Sequence, residues 1–221
     1  MNRRRVFVVA MDCEAAAVTA HFADAAEETA FGRRIVTGLF GGEPTAVVVS
    51  GVGKANAAAA AQLALARFRP DVLLNVGVAG ALHAPLQVAE VYRVRAAVQY
   101  DFDLSAVNGT PVGTLNEYAA REIPLDDAGG AFPSALLATG DRFNDSPADH
   151  RFLVEDVKAD LRDMEGGAVA HVARRAGVAC RALKAVSDVA GSGSTADQYR
   201  ANLARALQAL SDALPAFFNL P

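Results

Sequence analysis

Short apolar runs that alternate with alanine-rich stretches limit what this chain can fold into. Residues 6–10 and 72–76 are two such runs, with the length and composition of strands that are covered on both faces. Residues 57–68, which lie between them, have a strongly helical composition, and Pro70 ends that helix. Strands that alternate with helices predict an α/β fold with a mostly parallel or mixed central sheet flanked by helices.

The remaining segments extend this pattern over the whole chain. Further strands are predicted at residues 35–40, 45–50, 91–98, 136–139 and 180–186. Further helices are predicted in the alanine-rich run that ends at residue 22, after the start signal Ser146-Pro147, at 168–175 and at 196–214. Residues 106–134, rich in Gly, Pro and Asp, are expected to form a long excursion. Because no linker or repeat divides the sequence, we expect one domain over residues 1–221.

Composition and charge disfavour several classes of function. With 221 residues and 52% hydrophobic content, the chain is long enough to bury a sizeable core. A formal net charge of -4 argues against a broad nucleic-acid surface. No run has the length of a membrane span or a signal-peptide core, so a cytoplasmic protein is expected. The cysteines, Cys13 and Cys180, and the four histidines lack disulfide or metal-ligand spacing, so no metal or cofactor is expected.

Polar and small residues follow the predicted strands, at the edge where open α/β sheets bind ligands. They comprise acids, one aromatic residue and two glycine-rich turns, namely Glu14, Asp103, Phe143, Glu165, Asp188, residues 51–54 and residues 77–80. This topology predicts that they converge. Considered by its local sequence alone, Glu165 is interpreted as an acid in the first turn of the helix that follows Gly166-Gly167, where backbone amides favour negative charge.

Most standard motifs do not fit. The segment GVGKAN at residues 51–56 lacks the third glycine of the dinucleotide fingerprint and the GK[ST] ending of a Walker A motif. The sequence contains no GxSxG nucleophile elbow. Glycosidic cleavage needs one acid to protonate the leaving group and one carboxylate to activate water, and Phe143 offers a surface for stacking on a leaving base. These residues leave two interpretations open, a carboxylate-based hydrolase and a sugar-binding pocket.

Six segments occur in an order that resembles a known superfamily. They are AMDCEA at 10–15, SGVGKANA at 50–57, NVGVAG at 75–80, GDRF at 140–143, DMEG at 163–166 and SDVA at 187–190. The chain resembles the purine nucleoside phosphorylase and nucleosidase superfamily, and within it the 5'-methylthioadenosine/S-adenosylhomocysteine nucleosidases. The resemblance extends from residue 6 to the final helix. It implies a nucleoside phosphorylase-like three-layer fold, a homodimer and a reaction without a cofactor.

The resemblance implies roles for three acids. Asp188 would protonate or hydrogen-bond the purine N7, so it must bear a proton when catalysis begins. Glu14 would position and deprotonate the attacking water, and Glu165 would accept hydrogen bonds from the ribose hydroxyls. The implied reaction is metal-free hydrolysis of the N-glycosidic bond of a purine nucleoside, with a 5'-thioadenosine as the expected substrate.

Further substrate-binding positions also come from the resemblance. Met164 would pack against the sugar, Phe143 would stack on the purine, and the backbone of Asn144 would read the edge of the base. The remaining implied positions are Met11, near the 5' substituent, Val78 and Ser187.

Departures from the family pattern concern mainly the 5' end of the substrate. Val78 replaces a small hydroxyl residue, and Arg142 adds a positive charge beside Phe143. Residues 191–199 keep little of the pattern that closes the 5' pocket, and Tyr199 is the nearest aromatic replacement.

Three other functions stay open on the sequence. A nucleoside phosphorylase needs basic donors for phosphate on the attacking side, and Lys54 and Arg142 are the candidates. A futalosine-type nucleosidase is compatible with the altered segment 191–199. A non-catalytic nucleoside-binding protein has no need for Glu14, Glu165 and Asp188 together, so the three acids count against it.

Overall fold

The computed structural model describes residues 4–126, 132–143 and 146–218. The strands are β1 (Arg5–Val9), β2 (Phe22–Ala30), β3 (Arg33–Phe40), β4 (Glu43–Val49), β5 (Val72–Ala81), β6 (Val91–Gln99), β7 (Ile123–Pro124), β8 (Ser134–Thr139), β9 (Leu161–Asp163) and β10 (Ala179–Val189). The helices are α1 (Asp12–Thr19), α2 (Lys54–Phe68), α3 (Ser105–Asn108), α4 (Pro147–Arg151), α5 (Gly166–Ala176) and α6 (Thr195–Phe217). Helix α4 continues as a π-helical segment over Phe152–Val157.

The strands form one mixed sheet, and five of them pair in a closed ring. Strand β5 pairs with β10 and β9, β10 pairs with β6, β6 pairs with β8, and β8 pairs with β9, so the pairing returns to β5. From β5 the sheet continues outward through β1, β4, β3 and β2. The mixed sheet and its flanking helices confirm the predicted fold class.

Strand β5 changes its partner along one edge, and this change positions the site. Strand β10 pairs with β5 from Val72 to Ala81 and therefore occupies one edge throughout. On the other edge, β1 pairs with residues 72–75 and β9 pairs with residues 80–81. The backbone between these two pairings is left to bond with side chains instead of a strand.

Helices cover both faces of the sheet, as the alternation of β1 requires. Val6 and Val8 pack in the cluster that contains the alanines of α2 and α5, such as Ala61. Phe7 and Val9 pack in the opposite cluster with residues of α1 and α6. A strand whose successive side chains are all buried is apolar throughout, which explains why β1 was recognisable in the sequence.

The predicted helix that ends at Phe22 is wrong in its second part. Helix α1 ends at Thr19, and Phe22 begins β2, a strand that the sequence did not reveal. Strand β2 is the outer edge of the sheet and pairs only with β3 in the described structure. Most of its side chains are exposed, so it has no alternation of apolar and polar residues.

Two strands extend beyond their predicted ends. Strand β5 continues through the glycine-rich segment 77–80, and β10 continues through Ser187 and Asp188 to Val189. Both segments therefore lie within strands and not in turns that follow them.

The described part of the excursion at 106–134 is only partly irregular, and residues 127–131 of it lie outside the described residues. It contains most of α3 and the two residues of β7, and Ile123 and Leu125 are buried in the main core. The start signal at Ser146-Pro147 is confirmed, because the Ser146 hydroxyl accepts a hydrogen bond from the Asp149 amide at the start of α4. Among the described helices, none combines the length and hydropathy needed to cross a membrane.

Candidate active site

A cavity of about 480 Å³ opens where β5 changes partner. Eight of the predicted site residues line it, namely Met11, Glu14, Val78, Phe143, Met164, Glu165, Ser187 and Asp188. The ninth, Asn144, lies outside the described residues. Asp103 does not line this cavity; its carboxylate accepts a hydrogen bond from the Ser105 amide at the start of α3, so its predicted convergence with the other acids is wrong.

Glu14 lies in the first turn of α1 and is 3% exposed. Its Oε2 accepts hydrogen bonds from the Ala10 amide at 2.9 Å and the Met11 amide at 3.1 Å. Its Oε1 accepts one from the Val78 amide at 3.0 Å. The Val78 amide is available because neither β1 nor β9 pairs with that part of β5.

Gly77 makes this approach possible. A Cβ atom on Gly77 would lie 2.2 Å from Glu14 Oε1, which is far inside van der Waals contact. The glycine is therefore required by the space that the carboxylate occupies, because the φ of this residue is not in the left-handed region.

Burial and bonding act in opposite directions on Glu14. Burial raises the pKa of its carboxyl group above the ordinary value, and the positive charge of Lys184 and the three backbone amides oppose that rise. The hydrogen bonds from the backbone amides therefore favour the ionised form of Glu14, which a general base requires.

Lys184 is a functional candidate that the sequence analysis missed. It lies in β10 with only 2% exposure, and its Nζ is 2.8 Å from Asp163 Oδ2. Asp163 also accepts hydrogen bonds from the Thr139 hydroxyl and the Gly166 amide. The charges of Asp163, Glu14 and Glu165 raise the pKa of Lys184 although burial alone would lower it. A buried cation thus lies among three acids.

Glu165 is the residue that precedes α5, and it is only 8% exposed. The helix begins at Gly166, two residues earlier than predicted, and Glu165 is the N-cap residue just outside its first turn. The Glu165 side chain makes no capping hydrogen bond to this helix. Its Oε1 instead accepts a hydrogen bond of 2.8 Å from the Gly53 amide. Burial and the charge of Asp163 raise the pKa of Glu165 to about 7, against the opposing effects of Lys184 and the Gly53 amide.

Asp188 reaches the cavity through an irregularity in β10. The register with β5 shifts between Val186 and Asp188, so Ser187 is an extra residue in that strand. As a result, Val186 and Val189 pack in the same core cluster although they are three positions apart, which in a regular strand would place them on opposite faces. The Asp188 side chain is thereby turned to the face opposite Val186.

The surroundings of Asp188 contain both a hydroxyl and a cation. The carboxylate is 2% exposed and accepts a hydrogen bond of 2.8 Å from the Ser187 hydroxyl. Its Oδ1 is 3.8 Å from Nη2 of Arg162, a cavity-lining residue that the sequence analysis did not identify. The segment LRDMEG contains Arg162 beside two predicted site residues, which was the signal available in the sequence.

Two aromatic residues lie over the cavity. The rings of Phe143 and Tyr199 meet edge to face with centroids 5.6 Å apart, and the Tyr199 hydroxyl donates to Met11 Sδ at 3.3 Å. Phe143 remains 50% exposed and so has a ring face available. Tyr199, which the sequence suggested as the nearest aromatic replacement, also lines the cavity.

The two basic candidates for phosphate binding are separated by the structure. Lys54 does not line the main cavity, and its Nζ forms an ion pair with Asp101 at 2.5 Å. Arg142 does line the cavity, where its guanidinium is 3.3 Å from Asp149. Arg200, at the start of α6, is a third arginine in the lining besides Arg162.

Comparisons with known proteins identify the family. The family profile described as "Phosphorylase superfamily" matches residues 4–219. The 5'-methylthioadenosine/S-adenosylhomocysteine nucleosidase of Marinomonas sp. (strain MWYL1) is 32% identical over 201 residues, which cover 84% of this chain and 85% of the relative. The enzyme of that name from Bacillus subtilis (strain 168) is 31% identical over 207 residues, with 86% and 88% covered.

Solved structures are similar over nearly the full length. The futalosine hydrolase of Helicobacter pylori strain 26695 superposes with a TM-score of 0.90 at 25% identity and covers 99% of this chain and 98% of its own. The 5'-methylthioadenosine/S-adenosylhomocysteine nucleosidase of Helicobacter pylori, in complex with a substituted pyrrolidin-3-ol, has a TM-score of 0.89 at 25% identity and the same coverage. Because the family profile matches residues 4–219, almost the whole chain, the chain belongs to the phosphorylase superfamily.

Proposed function

We propose that this protein hydrolyses the N-glycosidic bond of a purine nucleoside and releases the free base. The observation that supports this most strongly is the arrangement of Glu14, Glu165 and Asp188 around one cavity, each held by different strands and helices. The curated relatives named above make 5'-methylthioadenosine and S-adenosylhomocysteine the reference substrates. The proposed reaction uses side chains and water, without a metal or cofactor.

Glu14 is proposed to activate the attacking water. Three backbone amides and the charge of Lys184 stabilise its carboxylate, so it is able to accept a proton from a water molecule beside the ribose. Because both carboxylate oxygens are fixed by backbone groups, the base has one orientation before substrate binds.

Glu165 and Asp188 are proposed to act on the two sides of the bond that breaks. The buried Glu165 carboxylate accepts hydrogen bonds from the ribose hydroxyls, and its negative charge stabilises the oxocarbenium-like transition state. Asp188 faces N7 of the purine and assists its departure. Phe143 supplies a ring face for the base, and Met164 packs against the sugar.

Hydrolysis is favoured over phosphorolysis by the positions of the basic residues. Phosphate binds best to arginine or lysine donors on the attacking side. Of the two candidates, Lys54 is engaged with Asp101 away from the main cavity, and Arg142 adjoins the stacking residue Phe143. Met11 and Val78, whose amides bond the Glu14 carboxylate, contribute apolar side chains to the cavity lining.

A second candidate is a futalosine-type nucleosidase, or another enzyme whose substrate differs from the thioadenosines. It is favoured by the three arginines that line the cavity, Arg142, Arg162 and Arg200, because the methylthio group of 5'-methylthioadenosine needs no such donors. The structural similarity to a futalosine hydrolase is as high as to the thioadenosine enzymes.

The decisive experiment incubates the protein with methylthioadenosine, adenosylhomocysteine, inosine and futalosine, with and without phosphate, and measures the free base by chromatography. We expect base release that does not depend on phosphate. Release only when phosphate is present would replace the hydrolase by a phosphorylase, and no release from any substrate would support a binding protein.

Asp188→Asn tests the assignment of the acid. We expect turnover to fall by at least 100-fold, because asparagine cannot transfer a proton to N7. The thermal unfolding midpoint should stay close to that of the wild-type protein, since the two side chains have the same shape. Near-normal turnover would remove Asp188 from the proposed mechanism.

A homodimer in the cytoplasm completes the proposal. The resemblance to the nucleosidase family supports both statements. Light scattering at micromolar concentration tests the dimer, for which twice the monomer mass of 23.0 kDa is expected.

A further inference from the structure

We propose that two amide side chains of α6, those of Gln198 and Asn202, position the acid Asp188 for proton transfer to the base. This inference rests on the proposed function, and it extends the site to residues behind the cavity wall. Neither amide residue lines the cavity itself. They are therefore positioning residues, which act on the reaction through Asp188.

The end of β10 that carries Asp188 pairs with a strand on one edge only. Strand β5 follows it on that edge as far as Val189. On the other edge β6 pairs with residues 183–185, and within the described structure no strand continues this edge beyond them. Buried backbone groups need hydrogen-bond partners, so the edge at residues 187–189 must find them outside the sheet.

Gln198 supplies this pairing for the residue that follows Asp188. Its Oε1 accepts a hydrogen bond of 3.1 Å from the Val189 amide, and its Nε2 donates one of 3.1 Å to the Val189 carbonyl. One side chain thus makes both of the bonds that a neighbouring strand would make with this residue. The backbone just after Asp188 is therefore held by α6 on one edge and by β5 on the other.

Asn202 holds the residue that precedes Asp188. It lies four residues after Gln198 and hence on the same face of α6. Its Nδ2 donates a hydrogen bond of 3.3 Å to the carbonyl of Ser187, the extra residue at the irregularity in β10. The Ser187 hydroxyl in turn donates to Asp188 Oδ2 at 2.8 Å. The two amides of α6 therefore fix the chain on both sides of the acid.

The helix that carries these amides is itself firmly placed. Leu210 and Leu214 of α6 are fully buried in the core cluster that contains Leu183 of β10. At the start of the helix, the Ser194 hydroxyl accepts a hydrogen bond of 3.2 Å from the Asp197 amide. Since a misplacement of about 1 Å can slow catalysis about 100-fold, bonds that set the direction of an acid contribute to the rate.

The test begins with Gln198→Met, which removes both bonds to Val189 and keeps a side chain of similar length. The parameter kcat/KM is measured with the four nucleosides named above, and calorimetry measures the dissociation constants of free adenine and free hypoxanthine. We expect kcat/KM to fall about tenfold and the dissociation constant of the bound base to rise about fivefold, because Asp188 is no longer held at N7. Asn202→Leu should give a smaller loss of the same kind. Circular dichroism and the thermal midpoint establish that each variant is folded.

The same substitution in an Asp188→Ala background separates positioning from a general structural role. If the amide acts through Asp188, Gln198→Met should not weaken base binding further once the carboxylate is absent. A role that is merely structural would weaken binding equally in both backgrounds.

Gln208→Met is the matched control, because Gln208 is an exposed residue of the same helix that bonds Asp212. It should keep the wild-type values. Wild-type values in folded Gln198→Met and Asn202→Leu proteins, or an equal loss in both backgrounds, would overturn the inference. If Gln198→Met does not fold, Asn202→Leu decides by the same criteria. The expected changes in base binding without any turnover would contradict the proposed hydrolysis alone, and failure of the wild-type protein to bind either base would overturn both.

Discussion

At the scale of single residues, the site is dominated by charges that are almost completely buried. Glu14, Asp163 and Glu165 surround Lys184, so one cation is shared among three acids. Burial favours the neutral form of the Glu14 and Glu165 carboxyl groups, and the charge of Lys184 and the backbone amides favour their charged form. Glu14 accepts three backbone hydrogen bonds and Glu165 accepts one, yet burial raises the pKa of both carboxyl groups.

Glu165→Gln is expected to stabilise the protein at high pH. The folded-state pKa of Glu165 is about 7, above its ordinary value of 4.5, so its favourable contribution is complete below about pH 4.5 and is lost as pH rises through 7. Glutamine keeps an acceptor for the Gly53 amide without a buried charge. At pH 8 the substitution should therefore increase the free energy of unfolding by roughly 3 kcal/mol more than it does at pH 4.5.

Urea unfolding at both pH values measures this difference. The exposed substitution Glu117→Gln serves as the control and should give little change at either pH. Equal effects of Glu165→Gln at pH 4.5 and pH 8 would contradict the raised pKa. Turnover of the Glu165→Gln protein should fall, since the uncharged side chain stabilises the cation-like ribose less.

The sequence pointed to the acids but not to the cations. Glu14, Glu165 and Asp188 lie in motifs that resemble those of a known family, and the structure brings all three to one cavity. Lys184 and Arg162 lie inside strands, β10 and β9, where a charged residue normally indicates a solvent-facing position. Their burial depends on partners that are distant in the chain, and no local pattern encodes that.

At the scale of elements, the glycine-rich segment of β5 is a strand that makes room for side chains. Gly77 accommodates the Glu14 carboxylate, and Gly80 accommodates Asp188 and Arg162. In the sequence these glycines predicted the end of the strand, because glycine usually interrupts one. The pairing with β10 continues to Ala81, and this pairing keeps the segment extended.

Gly77→Ala is expected to disrupt the base while it leaves the fold in place. The new methyl group would meet Glu14 Oε1 at 2.2 Å and push the carboxylate away from the Val78 amide. We expect turnover to fall by at least 100-fold and the free energy of unfolding to fall by about 1–3 kcal/mol, the usual cost of overpacking.

Glu14→Asp in the Gly77→Ala background tests the cause. Aspartate withdraws the carboxylate by one methylene group, so the double variant should recover part of the lost stability in urea unfolding. No recovery would mean that the methyl group clashes with another part of the structure.

At the scale of the whole molecule, the alternation of strands and helices was enough to predict an α/β fold with a mixed sheet. The closed ring of β5, β10, β6, β8 and β9 was not predictable, because it depends on the short strand β9 and on the second edge of β5. Local composition reports whether a strand is buried, as in β1, but it does not report which strand lies beside it. The edge strand β2 was missed for the related reason that it is buried on neither face.

Lys184→Met is expected to destabilise the whole molecule. The Lys184 ammonium group in β10 forms an ion pair with Asp163 in β9. This ion pair links two strands of the closed ring of β5, β10, β6, β8 and β9. Removal of Lys184 leaves buried acids without their cation, which typically costs about 3–5 kcal/mol. Thermal or urea unfolding at pH 8 measures the loss, which should be smaller at pH 5, where Glu165, with a pKa of about 7, takes up a proton. Lys158→Met, at an exposed site, should change stability little.

The change of partner along β5 also has a kinetic consequence. The environment of Glu14 is complete only after residues 5–8 have paired with 72–75 and residues 161–162 have paired with 80–81. Contacts so distant in the chain form late, because loop closure must precede them. During refolding, helical signal should therefore recover before catalytic activity, and activity reports that the last long-range pairings have formed.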